Sequence, residues 1–312
     1  MIDVRSDAGW IRLDRLSLAR ATGPQRVKFL HGLLSNDIAG LAPGQSRLAA
    51  LMNLKGQQIA WMRVLAEPEA LVCEMPVAVR DTVVETFLHY KVGAPVRFDK
   101  PDAVVFGVFG PRAGDALKAC GLSEIPATVD TFTNGTMEGT VVRVSRGSDM
   151  PASGFSLHVE SAGAAAVEAA LRERLGEPVP MATLDTLRVE EGIPWHGIDV
   201  TGENLLHETG ALAAYHAPSK GCYLGQEVVA RLEGRGGNVN KRLRGLKLGA
   251  PASADDPIVS GNDEIGRITT AGVSAAFGLI ALGYVHRSHS EPGSRVSVNS
   301  AEAEVVVVPF EA

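Results

Sequence analysis

The sequence is poor in cysteine, and its few cysteines form no ligand pattern. Cys73, Cys120 and Cys222 lie far apart along the 312 residues, and none belongs to a CxxC pair. Disulfide frameworks and zinc sites both rely on characteristic cysteine spacings, so the sequence predicts neither. An iron–sulfur cluster normally takes four thiolates, which exceeds the number available here. Any cluster chemistry would therefore need a partner or a second copy of the chain.

Long hydrophobic runs are also missing. The longest apolar stretches, residues 278–285 and 305–308, are far shorter than the ~20 residues of a membrane-spanning helix. Residues 1–7 contain no apolar run after a basic cluster, so we expect no secretory signal. These features predict a protein without membrane contact in a reducing cytoplasm.

Common catalytic fingerprints are absent as well. The chain has no GxGxxG after a strand, no GxxxxGK[ST], no HExxH and no GxSxG. His286 and His289 form the only close histidine pair in the sequence. No third ligand lies near them in sequence, so a zinc site is not expected. The formal net charge of −6 argues against direct nucleic-acid binding by the whole surface.

The periodicity of apolar residues predicts an α+β protein followed by an all-β module. Two successive regions mix strands with amphipathic helices, and a further helix is expected over residues 184–191. From residue 245 onward, short β-rich runs are separated by Gly, Pro, Asn and Asp, a pattern typical of a small barrel. We place the domains at residues 1–240 and 241–312.

The segment of residues 219–231 is the sharpest candidate for chemistry. Glycines flank Cys222, and a helix is predicted just after it, so the thiol would lie near exposed N–H groups and the positive end of a helix dipole. Lys220 and Arg231 add positive charge, and these conditions favour a thiolate. The alternative is a buried cysteine acting as a small hydrophobe, which is the usual situation and our interpretation of Cys73 and Cys120.

A second candidate is Glu190, at the end of the helix predicted over residues 184–191. A carboxylate at a helix end in a cleft can accept two N–H bonds from an aminopyrimidine ring, as in pterin binding. From periodicity alone, however, a solvated glutamate is the better interpretation.

A basic run follows the cysteine segment. It could neutralise the glutamate tail of a folate or the phosphates of an RNA, but such runs are more often solvated surface, and few aromatic residues are interleaved for base stacking. Its members are Arg231, Arg235, Lys241, Arg242, Arg244 and Lys247.

Three segments read KGCYLGQE at residues 220–227, FLHGLLSND at residues 29–37 and LDTLRVEEGIPWHGID at residues 184–199. They resemble the KGCYxGQE motif, the FLxGLLTND segment and the LDTLRIEAGIPxxGxD stretch of the YgfZ family, folate-binding proteins linked to iron–sulfur protein assembly and repair. Residues 265–271 and 280–285 are similar to its closing barrel. The wider superfamily includes the aminomethyltransferase of glycine cleavage and tetrahydrofolate-dependent demethylases.

The resemblance implies two ferredoxin-like α+β units around a central folate cavity, plus a C-terminal β-barrel. Glu190 matches the pterin-binding glutamate of the superfamily, and Asn53 starts a loop that lines the cavity. Cys222 would be the reactive thiol, tuned by Lys220 and Arg231. The implied ligand is tetrahydrofolate or a derivative, and the implied partners are iron–sulfur proteins or their assembly machinery.

Two positions depart from the aminomethyltransferase pattern. Those enzymes carry an aspartate pair where this chain has Ala60 and Trp61. Neither side chain can accept a proton or hold a cationic amine, so ordinary aminomethyl transfer should be impaired.

We therefore expect a tetrahydrofolate-binding accessory protein for iron–sulfur cluster assembly or repair, in which Gln226 and Glu227 order the thiol loop. The main alternative is a folate-dependent aminomethyltransferase or demethylase with a different base. A third possibility is a plain interaction module that acts on RNA-modifying enzymes.

Overall fold

The computed structural model describes residues 4–311, which divide into two compact units. The first consists of the described residues within Met1–Met52, Ile59–Pro180 and Ala214–Leu224. The second consists of those within Asn53–Gln58, Met181–Ala213 and Gly225–Ala312. Neither unit is one continuous segment, and the domain boundary expected after residue 240 stays a prediction.

The helices and strands follow one another closely along the chain. Up to residue 180 they are β1 (Gly9–Arg12), β2 (Leu16–Thr22), α1 (Arg26–Leu33), β3 (Ser46–Met52), β4 (Gln58–Ala66), β5 (Ala70–Pro76), α2 (Val77–Tyr90), β6 (Arg97–Asp99), β7 (Ala103–Phe109), α3 (Ala113–Ala119), β8 (Thr131–Met137), β9 (Thr140–Arg146), β10 (Phe155–Glu160) and α4 (Ala164–Leu175). The remaining ones are α5 (Met181–Glu190), α6 (Leu212–Tyr215), α7 (Gln226–Glu233), β11 (Lys241–Leu248), β12 (Pro257–Ser260), β13 (Asp263–Ser274), β14 (Gly278–His286), β15 (Arg295–Val298) and β16 (Ala301–Val306).

One sheet of the first unit has the strand order β3-β4-β5-β2-β6. Taken as a βαββαβ unit, β2, β4, β5 and β6 have the ferredoxin-like arrangement, with α1 and α2 as its two helices. The apolar sides of both helices are buried in one core, which includes Leu30 and Leu33 of α1 and Val83 and Phe87 of α2.

The other sheet has the order β1-β7-β10-β9-β8, and its helices are α3 and α4. Its edge strand β1 comes from the start of the chain and pairs antiparallel with β7, Trp10 opposite Val108. This strand occupies the place that a strand after α4 would take in an unpermuted ferredoxin-like unit. Trp10 also donates its indole N–H to the carbonyl of Gly176, 2.8 Å away, just after α4.

The second unit contains a closed barrel with the order β11-β14-β13-β12-β15-β16. Helix α5 packs on it through Val189, which lies in a buried cluster with Leu282 and Phe310. The buried Arg188 guanidinium fixes the following turn, because it donates to Asp199 at 2.5 Å and to Thr270 Oγ1 at 2.6 Å.

The predicted α+β class, with two ferredoxin-like units and a C-terminal β-barrel, is confirmed. The helix expected over residues 184–191 is observed as α5, which begins earlier, at Met181, and ends at Glu190. Among residues 4–311, no helix has the length and apolarity needed to cross a membrane.

Candidate functional site

Asn53 organises the turn between β3 and β4. Its side-chain Oδ1 accepts bonds from the backbone N–H of Lys55 at 2.9 Å and of Gln57 at 3.1 Å. Its Nδ2 donates to the Gln57 side chain at 3.0 Å. Asn53 therefore has a structural role in the turn, and its contact with folate stays a prediction.

The two residues found where aminomethyltransferases carry an aspartate pair are both buried. Ala60 is fully buried and belongs to the core beneath α1 and α2. Trp61 is 3% exposed and stacks on Tyr215, with ring centroids 3.9 Å apart and planes tilted by 29°. This place in the first unit therefore has an aromatic pair instead of a carboxylate.

Glu190 is the last residue of α5, and its side chain is half-buried. Its backbone carbonyl accepts a bond from the N–H of Phe310 at 2.7 Å, so the helix end is tied to the chain that follows the barrel. Arg188 and Val189, just before it, are held by hydrogen bonds and by core packing, so the Glu190 backbone has little freedom. Such fixed placement suits a ligand-binding carboxylate.

Cys222 is exposed, so the alternative of a buried core cysteine is wrong for it. The two residues that follow it are much less exposed: Tyr223 is 9% exposed, and Leu224 packs against the core of α1 and α2. The thiol is thus held outside while the following residues point inward. Cys73 and Cys120 are buried as predicted, and burial raises the pKa of the Cys73 thiol to about 12.

The Lys220 amino group contacts the C-terminal end of α1. Its Nζ donates to the carbonyls of His31 and Leu34, both at 2.5 Å, and lies 4.8 Å from the centroid of the Tyr223 ring. Carbonyls at a helix end lack intrahelical partners, and a cation there also interacts favourably with the helix dipole. Lys220 therefore serves as a side-chain cap of α1.

The helix that the sequence predicted just after Cys222 is α7, which begins four residues later at Gln226, directly after Gly225 with φ +82°. Glu227 lies in its first turn and Arg231 in its last, and both are exposed. Each charge has the sign that the nearby helix end favours. These three residues belong to the second unit, whereas Lys220 and Cys222 belong to the first.

Some side chains of the basic run are exposed to solvent, and others contact neighbouring residues. Arg231, Arg235 and Lys247 are exposed. By contrast, Lys241 lies 5.0 Å over the Tyr284 ring, and Arg244 donates to the Ser290 carbonyl at 2.7 Å. Burial lowers the pKa of Arg244, and nearby Arg242 lowers it further.

Two residues that the sequence did not single out hold the segment before Cys222. Ser35 donates its hydroxyl to the Tyr215 carbonyl at 2.5 Å and accepts a bond from the N–H of Ala50 at 2.8 Å. Asn36 donates from Nδ2 to the carbonyls of Leu48 and Ala214, at 2.8 and 3.0 Å. Both side chains are buried just after the end of α1, and this burial is evident only in the folded structure.

A buried ionic cluster in the first unit was also missed. The Arg63 guanidinium forms ion pairs with Asp130 at 2.7 Å and with Asp149. Glu74 meets His158 at 2.5 Å, and although burial opposes ionisation, this contact leaves the pKa of Glu74 lowered. These contacts join the two sheets of the unit, because Arg63 and Glu74 lie in one sheet and His158 in the other.

No group of three or more metal-ligating side chains is found within residues 4–311. His286 and His289 both contact the hydroxyl of Ser288, at 2.7 and 2.9 Å.

Comparison with known proteins places both parts of the chain in one family. Residues 1–216 match the GCVT N-terminal domain, and residues 241–310 match the glycine cleavage T-protein C-terminal barrel domain. An aminomethyltransferase from Saccharopolyspora erythraea is 28% identical over 98% of this chain and 88% of its own length. The tRNA-modifying protein YgfZ of Yersinia pseudotuberculosis serotype IB is 31% identical over 79% of this chain and 74% of its own length.

The fold has a close counterpart among solved structures. The glycine cleavage system aminomethyltransferase T from Bartonella henselae superimposes with a TM-score of 0.90 over 99% of this chain and 87% of that chain. At 21% sequence identity, this similarity concerns the fold alone.

Proposed function

Since the chain belongs to the YgfZ/GcvT-like family, we propose that it binds tetrahydrofolate or a derivative and supports the assembly or repair of iron–sulfur clusters. In this proposal the protein is a cytoplasmic accessory factor, Cys222 is its reactive thiol, and its partners are iron–sulfur proteins or their assembly machinery.

One observation carries the proposal: compared with the aminomethyltransferase pattern, the chain has an additional exposed thiol and lacks the aspartate pair. Cys222 is exposed within the segment that resembles the KGCYxGQE motif. At the positions of the aminomethyltransferase aspartates, Ala60 and Trp61 are buried and carry no ionisable group. An exposed thiol can react with a partner or bind a metal as the thiolate, whereas general acid–base catalysis at Ala60 or Trp61 is chemically excluded.

Folate binding is assigned mainly to Glu190. A carboxylate accepts two parallel N–H bonds from the aminopyrimidine edge of a pterin, and charge-assisted bonds of this type are strong. The half-buried position of Glu190 at the fixed end of α5 supports this role. We assign the exposed arginines after Cys222, Arg231 among them, to the glutamate tail.

The thiol is tested in cells that lack this protein and are complemented with variants. We expect Cys222→Ser to leave iron–sulfur enzyme activities at the level of uncomplemented cells, because a hydroxyl is a far weaker nucleophile and metal ligand than a thiolate. The matched control is Cys120→Ser, a buried cysteine with a raised pKa, at a protein level equal to wild type. Full activity with Cys222→Ser would overturn the role of the thiol.

A second candidate function, aminomethyl transfer, is favoured by the similarity to the Saccharopolyspora aminomethyltransferase over nearly the whole chain. It requires a base other than residues 60 and 61. The discriminating assay follows methylenetetrahydrofolate formation from aminomethyl or N-methyl donors by the purified protein. We expect no turnover above the uncatalysed rate, and robust turnover would favour the transferase over the accessory role.

A further inference from the structure

The loop that carries Cys222 is attached to the end of α1 on both sides of the thiol. Before the thiol, the N–H of Ala217 donates to the Ser35 carbonyl at 3.3 Å, and Lys220 donates to the His31 and Leu34 carbonyls. After the thiol, Leu224 packs into the core that contains Leu30 and Leu33. Between Lys220 and Leu224, the exposed residues are Gly221 and Cys222.

Two hydrogen bonds and one ring contact hold the amino group of Lys220. An ammonium group has three N–H donors. Two of them point to carbonyl oxygens, and the charge also lies over the face of the buried Tyr223 ring, in cation–π geometry. Tyr223 is in turn packed against His216, with ring centroids 5.8 Å apart. The ammonium group is therefore directed toward the end of α1 and the Tyr223 ring. These contacts attach the loop that carries Cys222 to α1.

Two segments that resemble family motifs, one around the end of α1 and one around Cys222, are joined by hydrogen bonds. Residues 29–37 supply the helix end and the Ser35-Asn36 pair, and residues 214–224 bind to them through backbone carbonyls and one lysine. Because the bonds from Lys220 and from the N–H of Ala217 end on backbone carbonyls in or just after α1, the loop has a defined position. Placing a reactive group precisely requires such support from its surroundings.

We propose that Lys220 is a positioning residue, which acts on the thiol chemistry by anchoring the Cys222 loop to the end of α1. This replaces the expectation that Lys220 chiefly tunes the thiol through its charge. The inference rests on the proposed function, in which Cys222 is the reactive group. The anchoring itself is a property of the loop that can be measured without any client protein.

Hydrogen–deuterium exchange of the whole protein tests the anchoring. Lys220→Met keeps the apolar stem over Tyr223 but removes the donors and the charge, so we expect exchange of amides in residues 217–224 to rise on the order of tenfold. Lys28→Met, which removes an exposed lysine of α1, should leave this segment unchanged. Unchanged protection in Lys220→Met would overturn the inference.

The pH profile of thiol alkylation distinguishes position from charge. Iodoacetamide reports on Cys222 because Cys73 and Cys120 are buried. If Lys220 acts by position, the midpoint of the pH–rate profile in Lys220→Met stays within about half a pH unit of wild type. A rise of about one unit or more, which corresponds to a charge effect of ordinary size, would show electrostatic activation and contradict the proposal.

A second variant loosens the same loop without changing any charge. Ser35→Ala removes the hydroxyl that bridges Tyr215 and Ala50, so exchange of residues 214–224 should increase. We expect both Ser35→Ala and Lys220→Met to reduce complementation of iron–sulfur enzyme activities. Loss of function in Lys220→Met alone, at equal loosening, would contradict the proposal. Full activity with Cys222→Ser would instead refute the proposed function and leave the exchange results standing.

Discussion

Burial lowers the pKa of the Lys220 amino group to about 8, below its ordinary value of 10.5. Asp37 and Cys222 oppose this shift without cancelling it. In the pH range between the two values, the unfolded chain holds a proton at this residue that the folded chain has lost. The unfolding free energy therefore gains a contribution that rises with pH over this range.

The corresponding prediction concerns the difference between wild type and Lys220→Met. As pH rises from about 8 to about 10.5, the unfolding free energy of the wild type should increase relative to that of the variant. Urea denaturation at several pH values measures the difference, and Lys28→Met serves as the control for loss of an exposed lysine. A difference that falls or stays flat over this range would show that the amine is not desolvated in the folded state.

The exposure of Cys222 was predictable, whereas the partners of Lys220 were not. Glycines and polar residues on both sides of the cysteine argue against burial, and the structure agrees. Lys220 binds carbonyls 189 and 186 residues away in sequence. Backbone carbonyls are available at every position, so no local pattern identifies the two that a lysine will cap.

At the scale of elements, the turn between β3 and β4 depends on close contact with α7. Gly56 has φ +73°, and a Cβ added to it would lie 2.8 Å from Cβ of Val228. Gly56→Ala should therefore combine left-handed backbone strain with a steric clash, and lower the unfolding free energy by about 2 to 4 kcal/mol. Chemical denaturation measures this loss.

Gly93 provides a matched control for this prediction. It has the same φ of +73°, but an added Cβ would meet nothing within 4 Å. Gly93→Ala should cost only the backbone term, about 1 kcal/mol. Combining Gly56→Ala with Val228→Ala should recover part of the loss, and equal losses at Gly56 and Gly93 would argue against packing of the turn on α7.

Long amphipathic elements were predictable, and short edge strands were not. The apolar periodicity of α2 and α4 and the β-branched run of β7 each identify their element locally. Strand β1 spans only Gly9–Arg12, and it is a strand because it pairs with β7 about 100 residues later. A pairing across such a distance depends on the assembled sheet and leaves little trace in the local sequence.

At the scale of the whole molecule, ionic contacts contribute to joining the two sheets of the first unit. Arg63 is buried between Asp130 and Asp149. Removing its charge in Arg63→Met leaves these carboxylates without their counterion, and burial already raises the pKa of Asp149. We expect the unfolding free energy to fall by about 3 to 5 kcal/mol, which denaturant titration measures.

An exposed ion pair gives the comparison for Arg63. Arg295 contacts Glu302 at 2.7 Å on the barrel, and both side chains are mostly exposed. Arg295→Met should cost less than about 1 kcal/mol because solvent screens the pair. A loss at Arg63 no larger than that at Arg295 would mean that the buried cluster contributes little to stability.

The family-level fold could be predicted from motifs spread over nearly the whole chain. Three of them, residues 29–37, 184–199 and 220–227, contain a helix end, and the other two lie within barrel strands. The function depends on fewer residues. Glu190 and Cys222 are each identified by residue type, setting and resemblance, whereas the support from Ser35, Asn36 and the end of α1 emerges only in three dimensions.

Calorimetric titration with tetrahydrofolate tests the central claim most directly. We predict binding by wild type and Cys222→Ser, and an affinity about 10- to 100-fold weaker for Glu190→Gln, because an amide offers one acceptor oxygen where the carboxylate offers two. Glu191→Gln, at the adjacent exposed position, should bind as wild type does. No binding by the wild-type protein, or equal binding by Glu190→Gln, would contradict the account.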